Sequence, residues 1–414
     1  MSSRLLTVYL HDEPVGCLEQ TNSGDLAFTY HAHYQQRAAY GISLSLPLNK
    51  TQHTGTPVKA FFAGLLPEES VRNRLAKYLG LSEKNAFALL EAVGGDCAGA
   101  LALYPAGTTP LPPAYEATPL DASECRRILD LIKRRPMLAG DGGYRLSLAG
   151  AQDKLAVGFE NEQIQLIKGG APTTHILKPL ITGVKDSAHN ELFCMQLATR
   201  LGLDVPEASL HYVEDTPYYL VARYDRKRNK DGTITRIHQE DFCQALAMAP
   251  EIKYEREGGP SIAACQDLIA QHAAQPAADQ IKLLNRVLFN YLIGNADAHG
   301  KNFSLLYQHN KPMLAPAYDL LSTAIYPDLS QNMAMKIGGK YKPNTLSRRH
   351  FYALMPKTQA AQAAMDRLIK KMTTTIVEAA PTLKAELIAS NIKSSVFDEI
   401  IEVIRSRVQR LTSS

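Results

Sequence analysis

Gly294-Asn295-Ala296-Asp297-Ala298-His299-Gly300-Lys301-Asn302, followed seventeen residues after Asn302 by Asp319 in Ala317-Tyr318-Asp319-Leu320, decides the reading of this chain. An Asp-x-His-x-x-Asn loop sets one carboxylate to orient a hydroxyl nucleophile and one amide to hold magnesium, and a carboxylate downstream completes the metal site. Asp297, Asn302 and Asp319 are therefore read as a phosphoryl-transfer centre. His299 either orders the loop through a hydrogen bond or packs, and Lys301 either neutralises transferred phosphate or faces solvent.

The residues around this loop supply the local fold. Asn302 to Tyr307 is apolar and strand-like, Gln308 to Pro312 is turn-rich, and Met313-Leu314 resumes the apolar run, which predicts a β-hairpin. An antiparallel pair returns Asp319 to the end where Asn302 sits, as two ligands of one ion require. Upstream, Asp279 is expected to cap a helix with Ile281, Leu284, Leu288 and Leu292 on its buried face and Gly294 as its stop.

Composition sets the bounds. The chain has 414 residues, enough for two or three domains, with 45% apolar and 21% charged residues, ordinary values for a globular protein. There is no run of eighteen apolar residues, and the N-terminus lacks a secretory h-region, so a cytoplasmic protein without a membrane partner is expected. Six cysteines fall without a Cys-x-x-Cys pair, which points away from zinc sites and disulfide frameworks. A net charge of +4 does not argue for direct nucleic-acid binding, and Arg226 to Lys230 is read as a solvated hairpin tip.

The order of elements upstream extends the kinase logic. Residues 1–104 mix strands and helices as an accessory subdomain, and a proline-rich linker spans 105–119. Residues 120–224 read as an ATP-binding N-lobe, and 225–414 as a helical C-lobe carrying the catalytic loop. Within the N-lobe, Tyr144 to Leu148 and Leu155 to Phe159 are expected strands. They flank Ala149, Gly150, Ala151, Gln152, Asp153 and Lys154, a small-residue loop whose amides are suited to cradle phosphates. Lys178 ends the strand Thr174 to Pro179, and Glu191 lies in a helix opening at Ser187, a spacing that predicts an ion pair aiming the lysine at ATP phosphates. Backbone groups around Ala222, Arg223 and Tyr224 are expected to form an adenine-binding hinge, braced by Asp225 and Arg226. Gln239 to Leu246 is read as the start of a helix, and the last helix as capped by Ser395 and Asp398.

Several of these segments together resemble the HipA family of bacterial toxin serine/threonine kinases. They are Ser147 to Lys154, His175 to Pro179, Asn190-Glu191, Ala222 to Arg226, His238 to Phe242, Tyr254 to Pro260, the Asp297 loop and Tyr318-Asp319. The resemblance implies an α+β, bilobal protein-kinase-like fold with a small N-terminal accessory subdomain and an all-helical C-terminal lobe. It implies Asp297 as the catalytic residue, magnesium on Asn302 and Asp319, and ATP against Ala149 to Lys154, Lys178, Ala222 to Tyr224, His299, Lys301 and Asn302. It also implies autophosphorylation at Ser147, which would place almost two negative charges beside the loop meant for ATP phosphates and so silence the enzyme.

The same resemblance implies partners. These are a HipB-like helix-turn-helix antitoxin, operator DNA reached mainly through that antitoxin, and a protein substrate, with aminoacyl-tRNA synthetases such as glutamyl-tRNA synthetase as the best-known targets of the family. The Asp-x-His-x-x-Asn loop also occurs in small-molecule phosphotransferases, so the loop alone leaves a metabolite acceptor open. A kinase-like corepressor acting mainly through antitoxin and DNA is the third reading.

Overall fold

The computed structural model describes residues 4–108, 116–140, 145–168 and 170–413. Packing divides the chain into two units: Met1–Pro179 with His211–Ile252 and Ser304–Pro312, and Leu180–Leu210 with Lys253–Phe303 and Met313–Ser414.

The first unit holds two larger sheets. One is five-stranded and antiparallel, in the spatial order Gln52–Thr54, Leu26–Tyr30, Glu13–Gln20, Arg4–Leu10 and Leu101–Pro105. In Arg4–Leu10, Leu6, Val8 and Leu10 alternate inward and are fully or nearly buried, joining Phe28, Phe61, Phe62 and Leu90 in one core beneath helices Thr56–Gly64 and Ala86–Val93. The other sheet has six strands, ordered Ala208–Val213, Thr216–Ala222, His175–Pro179, Leu155–Glu160, Gln163–Lys168 and Glu116–Pro119.

Three local expectations fail in this unit, each because pairing partners overrode local pattern. Glu116–Pro119, assigned to the linker, is the edge strand of the six-stranded sheet, where Glu116 pairs with Lys168 and Pro119 with Gln165. The stretch before the phosphate loop is not a strand: Leu146 makes only an isolated parallel bridge to Asp96, and Tyr144 lies outside the described residues. Gln239–Asp241 is a short strand antiparallel to Ser304–Leu306, and the helix begins only at Phe242, behind a capping box of Asp241 and Gln244. The hairpin after the catalytic loop forms as expected, with strands Ser304–Gln308 and Lys311–Leu314 and both turn residues, His309 and Asn310, at positive φ.

The second unit is mainly helical, built from Ser187–Arg200, Ile262–His272, Pro276–Ile293, Gln359–Ala389 and Val396–Thr412. Ser187–Arg200 packs on the last two helices, with Phe193 stacked on Phe397 at 5.0 Å, which draws residues 180–210 out of the lobe the sequence assigned them to. Two capping expectations also fail. Asp279 lies inside helix Pro276–Ile293, fully buried, accepting the Leu314 N–H at 3.0 Å, while Ile281 is exposed. Ser395 makes no side-chain cap, and Asp398 pairs instead with Lys384 at 2.5 Å. Among the described residues no helix is long and apolar enough to cross a membrane. All six cysteines are free, and all but Cys17 are buried.

Candidate active site

The loop bearing Asp297 is assembled by neutral side chains within the second unit. Helix Pro276–Ile293 stops at Gly294, whose φ of 76° favours glycine, and whose Cβ, if present, would stand 2.6 Å from that of Ala324. Asn295 then acts on three sides. Its Nδ2 donates to Asn290 Oδ1 at 3.0 Å and to the Asp319 carbonyl at 3.3 Å, and its Oδ1 accepts the Asp297 N–H at 3.1 Å. Thr323 Oγ1 accepts the Ala296 N–H at 2.8 Å and donates to the Gly294 carbonyl at 3.2 Å. One residue earlier, Ser322 exchanges two hydrogen bonds with the buried Asn190 side chain.

Asp297 is half-buried, and its Oδ1 accepts the Tyr254 hydroxyl at 2.6 Å. The Asp297 carbonyl receives the His299 N–H at 2.8 Å and Asn302 Nδ2 at 3.3 Å. With Nδ2 turned to the loop, Oδ1 is the Asn302 atom left to meet a cation. Tyr318 donates to the Lys301 carbonyl at 2.7 Å, so the segment bearing Asp319 is fastened beside the loop from both Lys301 and Asn295. Asp319 holds a left-handed φ of 51°, a conformation costing a non-glycine residue on the order of 1 kcal/mol and persisting only where its surroundings enforce it.

The loop's other residues are resolved by burial. His299 is buried edge-to-face against Tyr254 at 5.1 Å, and Lys301 is only 6% exposed, which removes the solvent-facing reading. Beside Asp297 lies a pocket of about 220 Å³ with Tyr254, Arg256, Thr323, Asn332 and Met333 in its wall.

Asn302 and Asp319 offer hard oxygen donors, which suit magnesium. Among the described residues no group of three or more His, Cys, Asp or Glu could form an all-protein metal site. One or two protein ligands completed by substrate phosphates is the usual magnesium arrangement in phosphoryl-transfer enzymes.

The phosphate-loop residues belong to the first unit. Gly150 has φ 113°, and a Cβ there would come within 2.4 Å of Lys154 Nζ, which donates to the Ala149 carbonyl at 2.7 Å and closes the loop on itself. Gln152 Nε2 donates to the Pro179 carbonyl at 3.3 Å, and Asp153 pairs with Arg74. Burial raises the Asp153 pKa, opposed by Arg74. Ser147 is fully buried, its hydroxyl donating to the Leu65 carbonyl at 2.7 Å and its N–H to the Asp96 carbonyl at 3.0 Å.

Lys178 is buried in strand His175–Pro179 of the first unit with Nζ 5.6 Å from the Tyr219 ring centroid, and Glu191 is buried in helix Ser187–Arg200 of the second. In the hinge segment, Ala222 pairs with His175 across the sheet, and the Arg223 N–H is already donated to the Thr174 carbonyl at 2.9 Å. The Tyr224 hydroxyl donates to Gln239. Arg226, read as part of a solvated tip, has a side chain only 2% exposed that pairs with both Asp96 and Asp225.

Tyr254, Asn295, Thr323 and the Asn190 amide are working parts of the loop that residue-type reasoning did not single out. Asn190, Asn295 and Tyr254 lie in segments whose residues carry the family resemblance or flank the Asp297 loop; nothing in the sequence marked Thr323.

Residues 146–380 match the HipA-like C-terminal domain, and residues 6–104 the HipA N-terminal domain. The chain is 47% identical over 343 residues to a putative kinase, Y4mE, of Sinorhizobium fredii, covering 82% of each chain. It is 32% identical over 369 residues to the serine/threonine-protein kinase toxin HipA of Shewanella oneidensis, covering 86% of this chain and 84% of that one. Among solved structures it is similar to the Shewanella oneidensis HipA, HipB and operator DNA complex, at 30% identity, with coverage of 99% of this chain and 97% of that chain and a TM-score of 0.83.

Proposed function

This chain belongs to the HipA family, and from that footing we propose that it is the toxin kinase of a HipA/HipB-like pair, transferring the ATP γ-phosphoryl group to a serine or threonine hydroxyl of a protein. The observation that carries the reading is the framing of Asp297, Asn302 and Asp319 by one set of hydrogen bonds, with Asn295 bonded to both the Asp297 N–H and the Asp319 carbonyl.

In that reaction the acceptor hydroxyl oxygen bonds to the γ-phosphorus as the bond from that phosphorus to the β,γ-bridging oxygen breaks, leaving ADP. Asp297, its Oδ1 fixed by Tyr254, orients the hydroxyl and takes up its proton. Asn302 and Asp319 would hold magnesium, which when bound neutralises charge on the β- and γ-phosphates. Lys178, buried and close to the Tyr219 ring face, is the lysine assigned to the ATP phosphates, and Ala149 to Lys154 the loop that covers them.

Ser147 is the proposed autophosphorylation site. Its hydroxyl is buried, so its modification requires residues 145–150 to leave the place they occupy here, and a phosphoserine cannot return to a buried position where its side chain meets the Leu65 carbonyl oxygen. A small helix-turn-helix antitoxin is the proposed partner, supported by the similar HipA, which was solved together with HipB and operator DNA. An aminoacyl-tRNA synthetase is the proposed class of target, on family resemblance alone.

Incubating the purified protein and a cell lysate with labelled ATP tests the reading. Label is expected on Ser147 and on a discrete lysate protein, and is lost with Asp297→Asn. ATP consumption that tracks added metabolites, with no protein labelled, would replace the protein acceptor by a small molecule.

A further inference from the structure

The first unit contains a buried ion cluster that joins the accessory subdomain to both nucleotide-facing segments of the proposed ATP site. Asp96 Oδ1 lies 2.9 Å from Arg226 and 3.4 Å from Arg236, while its Oδ2 lies 3.5 Å from Arg223 and 3.3 Å from Thr173 Oγ1. Arg223 and Arg226 also contact Asp225 at 2.9 and 3.1 Å. The side chains of Asp96, Arg223, Asp225 and Arg226 are each at most 4% exposed, and Arg236 is 12% exposed. Three guanidinium groups around two carboxylates leave one net positive charge, so Asp96 is half of what makes the cluster tolerable in a dry interior.

The backbone of the same residue works in a second direction. Asp96 accepts the Ser147 N–H at 3.0 Å and donates its own N–H to the Arg145 carbonyl at 2.7 Å, forming the isolated bridge that sets the start of the phosphate loop. One residue thus fixes Arg145–Ser147 with its main chain and Arg223–Arg226 with its carboxylate. Neighbouring residues of the accessory subdomain lengthen the attachment. Glu68 N–H donates to the Gly150 carbonyl at 3.1 Å, Arg74 pairs with Asp153, and Gly99 N–H donates to Asp225 at 2.6 Å.

We propose that Asp96 is a positioning residue for nucleotide binding, whose carboxylate and backbone hold the phosphate loop and the hinge segment in one fixed relation. The inference rests on the kinase reading of these two segments. It gives residues 1–104 an indirect part in nucleotide use, through the segments that Asp96 holds. A carboxylate that merely stabilised the fold would, when removed, reduce the fraction of active protein, lowering kcat and leaving the KM for ATP alone. A positioning carboxylate does the reverse, because the surviving molecules bind a misaligned nucleotide more weakly.

Asp96→Asn in the full chain is the test, with steady-state kinetics on a labelled acceptor and hydrogen exchange of the whole protein. The KM for ATP is expected to rise about tenfold with kcat held within about twofold. Amide protection is expected to fall together in 145–150 and 223–226. A fall in kcat at unchanged KM, or loss of protection in only one of the two segments, overturns the proposal. Where the buried asparagine prevents folding, Arg236→Gln removes the most exposed member of the cluster. A rise of about threefold in the KM for ATP is then expected, and an unchanged KM overturns the proposal. If the wild-type chain transfers no phosphate, the kinase reading fails by itself, and the paired exchange measurement still decides whether Asp96 couples the two segments.

Discussion

The loop bearing Asp297 and the loop running from Ala149 to Lys154 are fixed by opposite means. The first is held by amides and hydroxyls from nearby sequence: Asn290, Asn295, Tyr318 and Thr323 act within 34 residues of one another, with Tyr254 and Asn190 reaching in. The second, with Ser147 just before it, is held by backbone groups of Leu65, Glu68 and Asp96 and by the Arg74 guanidinium, all supplied from roughly 50 to 80 residues upstream. Short-range neutral bonds fix a rigid platform whose parts travel together in a motif. Long-range attachments, each separate and none part of a sheet ladder, are what the proposed release of the second loop would have to break.

The largest expected effect lies on the rigid side. Asp297→Ala removes the group proposed to orient the acceptor hydroxyl and should lower phosphoryl transfer by about 10³-fold or more, with the thermal midpoint little changed because Asp297 is half-buried and its loop is framed through backbone groups. A variant that loses activity and unfolds alike would mean that the two loops are less independent than their contacts indicate.

On the movable side, Ser147→Asp puts a carboxylate where the serine hydroxyl meets the Leu65 carbonyl, with no cation within the hydrogen bonds formed there. An unpaired buried charge costs several kcal/mol, more than the loop's separate contacts are expected to return, so the loop should be displaced and ATP affinity fall by about 10²-fold. Ser147→Ala loses one hydrogen bond, on the order of 1 kcal/mol, and should retain ATP binding. Calorimetric titration with ATP separates the two variants, and equal affinities would refute a charge-driven release.

This contrast also accounts for what could be read from sequence. The local fold of the Asp297 loop was legible because the segment from Gly294 to Asp319 obeys local rules: a glycine stop at Gly294, a two-residue turn at His309-Asn310, and oxygen-bearing side chains at the two ends of the hairpin. The small-residue loop from Ala149 to Lys154 stood out in composition, but what supports it did not. The Asp225–Arg226 pair was expected beside the hinge, but nothing in the spacing announces that Asp96 joins them with Arg223 and Arg236 in one buried cluster, since ion pairing across more than a hundred positions leaves no period. Gln239–Asp241 and Glu116–Pro119 were misread for the same reason, their strand character coming wholly from Ser304–Leu306 and Gln165–Lys168.

Buried carboxylates sharpen the comparison further, because one of them lacks the arginines that Asp96 and Asp225 possess. Burial works against ionisation of Asp96 and Asp225, but Arg223 and Arg226 overcome it and hold both below the usual carboxylate range. Glu240 is met instead by neutral donors, Ser43 Oγ and Tyr307 Oη at 2.5 Å and the Leu44 N–H at 3.0 Å, and burial pushes its pKa up from its ordinary 4.5 to about 7. Between those two values the native state keeps a proton that the unfolded chain has released, so this group makes stability fall as pH rises from about 4.5 to about 7, and level off above. Glu240→Gln should remove that slope and be more stable than the parent at pH 8 by on the order of 3 kcal/mol, with the two converging near pH 4. Urea unfolding across the range measures it. A difference that shrinks as pH rises would show Glu240 ionised at a low pKa, with a cation partner.

The smallest effect tests whether the hydrogen bonds of the rigid loop tune chemistry or only hold shape. Tyr254 touches Asp297 through its hydroxyl at 2.6 Å and His299 through its ring at 5.1 Å, so Tyr254→Phe deletes the first contact and keeps the second. Asp297 is half-buried, and water can take the place of the lost donor, which limits the cost to about 1 kcal/mol. A three- to tenfold fall in kcat with the KM for ATP unchanged is expected, since the carboxylate would sample more orientations while the nucleotide's contacts stay in place. Tyr254→Ala, which also removes the ring from His299, should cost more and lower stability as well. Should Tyr254→Phe instead abolish transfer as fully as Asp297→Ala, the hydroxyl would have to act on the acceptor itself, and the platform reading of this loop would give way to a second proton-handling group.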